Sequence, residues 1–162
     1  MNKIERWIFK VFKDSNFSKN YEYLSKNHQT EVINRENQIN NLEIESFINK
    51  EGFDKVKYLS KYKYYEVDNY ETNEIFSGLR IGLNIILLHS EVDFIISMVY
   101  NDIDIPLGPY GVIYQNLNDG KRVFRPLYSN KEELFSIIYE GLKIYKEILI
   151  KIQNSKGFDE NT

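Results

Sequence analysis

The 162-residue chain contains no cysteine, no alanine and only two histidines, and none of its apolar runs approaches the length of a membrane span. Each absence excludes something. Without cysteine there is no disulfide scaffold, no thiolate zinc site, no iron–sulfur centre and no cysteine nucleophile. His28 and His89 are the only imidazoles available for acid–base or metal chemistry. A spanning helix needs ~20 consecutive apolar residues. The first 14 residues carry Glu5 and Asp14 and are not followed by a small-residue cleavage site, so a secretory signal is not expected. No G-x-S-x-G, P-loop or G-x-G-x-x-G motif is present, so no reaction is named by a motif.

What is there is biased. The chain has 18 Asn, 21 Ile, 13 Tyr and 16 Lys against 5 Arg, which tracks AT-rich codons and reads as a mark of the genome. A domain of about 150 residues buries about 68–70% of its unfolded surface, enough to hold one core unaided. We expect a single domain over 1–162, without repeats, linkers or low-complexity tracts.

Asn2 and Glu5 form a capping pair ahead of Ile4, Ile8, Val11 and Phe12, which predicts a helix over 2–13. Residues 14–40 are poorly legible, with a strand suggested near Thr30–Asn34. Asn40 and Glu43 start a second helix over 41–50, and Gly52 sits where a left-handed C-terminal residue belongs. The period then changes to two, over about 55–67. Leu79, Ile81, Leu83, Ile85 and Leu87 alternate with other residues, as do Val92, Phe94, Ile96 and Met98, which predicts an antiparallel hairpin of 78–88 and 92–101. Asp104 to Gly111, with two prolines and two glycines, reads as a loop. Residues 110–117 fit a short helix or a strand, and 121–127 an extended segment. Ser129 and Glu132 read as a capping box opening a long amphipathic helix over 130–153, with a frayed tail at 154–162. The fold class that results is α+β: an antiparallel sheet of about three to five strands covered by helices, with a long C-terminal helix.

The formal charge of −3 hides a division, with a net of +3 over 1–63, −8 over 64–119 and +2 over 120–162. The middle segment holds Glu66, Asp68, Glu71, Glu74, Glu91, Asp93, Asp102, Asp104 and Asp119 against Arg80. On strands, Glu66 with Asp68, Glu91 with Asp93 and Asp102 with Asp104 would each share a face. Such a surface attracts a basic partner and accelerates its association, while a solvated face that keeps the chain soluble is the plain alternative. His89, Glu91 and Asp93 alternate as three candidate metal ligands, which would suit a small metal-dependent hydrolase. Tyr58, Tyr62, Tyr64 and Tyr65 interleave with Lys55, Lys57, Lys61 and Lys63. That pattern occurs in single-strand nucleic-acid sites, but in an acidic chain we read it as a lysine-protected edge strand. As an edge it also offers a route to a homodimer or scaffold. Tyr110, with Leu107 in the same glycine- and proline-rich stretch, is a candidate apolar contact.

One resemblance rests on Gly78-Leu79-x-x-Gly82-Leu83-Asn84, Val92-x-Phe94-Ile95-Ile96-Ser97, Pro106-Leu107-Gly108-Pro109-Tyr110, the run from Phe124 to Leu134, and Ile144-Tyr145-Lys146-Glu147-Ile148. From residue 78 onward, about half of the chain, this resembles small bacterial immunity proteins of polymorphic-toxin and contact-dependent or type VI secretion systems. The resemblance implies a cytoplasmic, non-enzymatic protein that binds a cognate toxin, often a basic nuclease, with no cofactor, metal, nucleic acid or membrane. It carries over no catalytic residue. The expected partner surface, Glu66, Asp68, Glu71, Glu74, Glu91, Asp93, Asp102, Asp104, Leu107 and Tyr110, rests on charge and position alone.

Overall fold

The computed structural model describes residues 2–29 and 39–155. The strand expected near 30–34 and the tail from 156 lie outside the described residues. In chain order the elements are α1 (Lys3–Asp14), α2 (Phe17–Asn27), α3 (Asn41–Lys50), β1 (Lys57–Leu59), β2 (Tyr64–Asp68), β3 (Glu74–Phe76), β4 (Leu79–Leu87), β5 (Val92–Tyr100), β6 (Ile103–Pro109), α4 (Tyr110–Leu117) and α5 (Lys131–Asn154). The protein is α+β, with an antiparallel six-stranded sheet in the order β1-β2-β4-β5-β6 and β3 paired to β4.

Local chemistry sets most boundaries. The Asn2 side chain accepts from the Glu5 N–H at 2.9 Å, and Glu5 returns a bond to the Asn2 N–H at 3.2 Å, closing the box that starts α1. Asn40 caps α3 through the Leu42 N–H, and Gly52 after it takes φ +102°. The start of α5 lies one residue later than expected. Asn130 is its cap, accepting from the Glu133 N–H at 2.8 Å, while Ser129 donates its N–H to the Glu133 carboxylate at 2.9 Å. Residues 55–67 form two short strands around a turn rather than one strand. Within the illegible stretch, α2 is built on Phe17, Tyr21 and Leu24, a buried i, i+4, i+7 stripe among Asn, Ser and Lys.

The glycine- and proline-rich loop expected at 104–111 is instead edge strand β6 followed by α4. An edge strand tolerates Pro106 and Pro109, because proline lacks only the N–H that an edge has no need to donate. The preceding turn is two residues long, with Asn101 at φ +49° and Asp102 at φ +63°. Paired left-handed residues suit the twist of a two-residue hairpin, and Asn and Asp tolerate that conformation.

Side chains alternate between two faces of the sheet. Leu79, Ile81, Leu83 and Ile85 on β4, with Val92, Phe94, Ile96 and Met98 on β5, are buried in the core. Tyr64 and Glu66 on β2, Asn84 and Ile86 on β4, and Ile95 and Ser97 on β5 face the other way and are only half-buried. The core lies between the first face and the helices, with α5 as the main cover. The tightest contact in that layer is at Gly141 of α5. A Cβ there would lie 2.0 Å from Cζ of Phe94, a buried ring stacked on Tyr110 at 5.0 Å. Tyr110 in turn donates its hydroxyl to the Gly141 carbonyl at 3.0 Å.

Gly141→Ala is therefore expected to lower stability by about 1–3 kcal/mol through overpacking, despite alanine's better helix propensity. The denaturant midpoint measures it. Pairing the change with Phe94→Leu should recover part of the loss, and an unchanged midpoint in the single variant would show that the ring is free to move.

Candidate functional site

The acids of 64–119 do not form one surface. The fold divides eight of the nine into three groups and leaves Asp119 apart, exposed in the turn after α4. At the β4–β5 turn, Arg125 donates its Nη1 to the Glu91 carboxylate and its Nε to the Asp93 carboxylate, both at 3.1 Å. The Asp93 side chain is 6% exposed and also accepts from the Phe94 N–H. Burial pushes its carboxyl upward, and Arg125 opposes that shift. These two carboxylates are thereby matched to a guanidinium within the chain. Burial and pairing take Asp93 off the expected partner surface.

In the middle of the sheet, Glu66 faces away from the helices, opposite Lys57 and Asn84. Asp68 does not share its face. A register shift between the two sets Asp68 opposite the buried Leu83. There Asp68 accepts from the Asn73 amide at 3.2 Å, and burial raises its carboxyl.

The third group is a cluster at the far end. Glu74 pairs across β3–β4 with Arg80, Arg80 across β4–β5 with Val99, and Val99 across β5–β6 with Asp104, so these four form one row on one face. Arg80 Nη2 donates to Asp102 at 3.1 Å, and its Nη1 points to the Glu71 carbonyl at 3.5 Å. One guanidinium thus bonds the Asp102 carboxylate and the Glu71 backbone in the row it shares with Glu74 and Asp104, and all four acids are exposed. The Asp102 side chain is 94% exposed, so its ion pair contributes little to stability. Beside Asp102, Ile103 is 70% exposed at the hairpin tip. It opens onto a cleft of about 350 Å³ lined by Ile4, Tyr100, Ile105 and Asp104, with Lys3 and Glu5 at its rim. Along β5, at ~3.3 Å per residue, the Val99 row at this end lies about 20 Å from Asp93.

Leu107 and Tyr110 correct the sequence reading. Leu107 is 5% exposed and Tyr110 fully buried, packed against Phe17, Tyr21 and Phe94. Neither reaches a partner. The glycines and prolines around them shape an edge strand and its exit into a helix, and no loop tip is presented. Ile103 falls just before the stretch that its prolines and glycines mark as a loop. Its signal was the Asn101-Asp102 dipeptide between two apolar alternations.

The expected ligand trio does not assemble either. Glu91 and Asp93 are drawn to Arg125, His89 is exposed at the turn, and no group of three His, Asp or Glu side chains able to hold a metal occurs among the described residues. No helix among those residues is long and apolar enough to cross a membrane. Comparison with protein-family models, with curated protein sequences and with solved structures returned no match.

Arg125→Met is expected to cost about 1–3 kcal/mol at neutral pH, the scale of hydrogen bonds to a charged group. Because the Asp93 carboxyl is raised above 3.8, its ionisation works against the folded state as pH rises through that titration. The penalty should be full at neutral pH and shrink as pH falls toward 3.8, where Asp93 takes up a proton. Denaturant unfolding at both pH values tests this, and a pH-independent loss would mean that Arg125 acts through packing alone.

Proposed function

We propose that the chain is a non-enzymatic immunity or inhibitor protein that acts in the cytoplasm by binding a basic protein toxin at the acidic end of its sheet. The observation that carries the reading is the Asn101-Asp102 turn. It holds Asp102, Ile103 and Asp104 out to solvent beside Glu71 and Glu74. An exposed aliphatic side chain next to a half-open apolar cleft gives a desolvated centre, and the surrounding carboxylates give attraction and orientation. Asp93 is buried and Arg125 offsets one of the two charges it shares with Glu91, so this end offers less field than the far end and is left out of the surface. Leu107 and Tyr110 are core. Glu66 lies on the same face nearer the middle of the sheet and contributes at longer range.

The partner is expected among secreted toxins encoded by the preceding gene. Co-expression of this chain with the toxic domain should restore growth, and the two proteins should co-purify. Charge reversal at Asp102 and Asp104 should slow association by about tenfold and flatten its dependence on salt. Asp102→Gly serves as a control, since glycine suits φ +63° and removes the charge without straining the turn. Unchanged association kinetics would remove the hairpin tip from the interface. Failure of rescue with the neighbouring toxin would overturn the reading.

A further inference from the structure

The face of the sheet turned away from the helices is oppositely charged at its two ends. Toward the 60–63 turn it is basic, with Lys61 and Lys63 in the turn and Lys57 on β1, all exposed. Among the described residues, none of the three takes part in an ion pair. Tyr62 is 59% exposed there and stacks on Tyr64 at 5.7 Å, with Lys61 Nζ 5.3 Å from the Tyr62 ring. The other end carries the row of Glu74, Arg80, Val99 and Asp104 with Glu71 beside it, so the acids there outnumber the one arginine. Leu59, Tyr64 and Ile86 form the row beside the 60–63 turn, where Asp93 opposite Ile86 is held by Arg125, and Ile95 lies in the next row with Lys57 and Glu66; the helices do not cover these four apolar side chains.

The lateral placement of these charges matters. β2 and β3 both pair with β4, and β5 occupies its other edge, so Lys61, Lys63, Glu71 and Glu74 all lie to one side of β4. A two-fold axis lying in the face and crossing the strands at right angles keeps that side over itself and exchanges the ends. It brings the 60–63 turn of one copy over the Glu71 and Glu74 region of the other, and the same contact is made twice. The 36 strand residues, at about 3.3 Å each and with strands about 4.8 Å apart, offer roughly 570 Å², the size of a weak, salt-sensitive interface rather than the ~800 Å² per partner of a standard one. Association through sheet edges is disfavoured, because β1 has three residues and β6 carries Pro106.

We infer that this face recognises a second copy of the same chain. Two copies pack face to face about the two-fold axis, with Lys61 and Lys63 of each against Glu71 and Glu74 of the other, and Leu59, Tyr64, Ile86 and Ile95 of both covered in the contact. The inference goes beyond the toxin-binding reading and touches it at one point: a basic protein that uses Glu71 and Glu74 competes with self-association.

Sedimentation of the full chain over a range of concentrations and salt tests the inference. A species of twice the mass of one chain is expected at low salt, weakening as salt rises. K61E/K63E and E71K/E74K should each raise the dimer dissociation constant by about tenfold or more, with thermal melting confirming that both fold. Mixing the two variants should restore dimers, because one then presents acids at both ends and the other bases at both. A wild-type monomer under all conditions overturns the inference, as does a dimer indifferent to either reversal or a mixture that fails to pair. A monomer that instead captures a labelled single-stranded oligonucleotide, and loses it in Tyr62→Ala, also overturns it and assigns the face to nucleic acid. None of these results bears on toxin rescue, which tests the other reading separately.

Discussion

The ring of Phe94 occupies the space that a side chain at residue 141 would fill, and α5 crosses β5 at that notch. A helix normally stands off a sheet by the thickness of its own side chains. Here the backbone of α5 comes down onto an aromatic ring, and the Tyr110 hydroxyl fastens the Gly141 carbonyl from the side. Phe17 and Tyr21 of α2 pack edge-on against the same Tyr110 ring. Three helices and the central hairpin therefore share one aromatic cluster, and interiors packed at this density accept little change in volume. The position of α4, and with it the direction in which β6 leaves the sheet, follows from how Tyr110 is seated.

That arrangement sorts the charges. A segment with nine acids and one arginine might have made a single field. Instead, one end of the sheet receives Arg125 from a segment 32 residues further on, the middle turns Asp68 toward the interior, and the exposed acids gather mainly at the far end. Segment charge, read along the chain, overstates the acidic surface. The same sorting leaves the lysines of the 60–63 turn at the opposite end, so a nearly neutral molecule carries a lengthwise polarity.

The central hairpin was legible because Leu79 to Leu87 and Val92 to Met98 alternate without interruption, and α5 because its apolar stripe runs for six turns behind a cap. α3 was legible to the residue, since Asn40 and Gly52 mark both ends. α2 was not, because the three buried apolar residues in eleven, with Tyr23 out of phase, give too weak a period against Asn, Ser and Lys. The stretch 103–110 misled for a different reason. Proline and glycine announce a break in hydrogen bonding, and an edge strand has one side where that break costs nothing. Tyr110, expected in that loop, is the buried first residue of α4. Of the site, the acids were visible in the sequence, but their division was not. It depends on a register shift and on a long-range arginine, neither of which leaves a local trace.

Pro106 has a further consequence. A sheet grows by donating and accepting along its outermost strand, and in this protein one outermost strand is three residues long while the other contains a residue with no amide proton. Chains crowded together at high local concentration thus find no template for adding strand to strand. The native fold is guarded against ordered aggregation at the place where an antiparallel sheet is most vulnerable to it. An aliphatic-rich, asparagine-rich sequence of this kind gains from that protection whenever it is made in quantity.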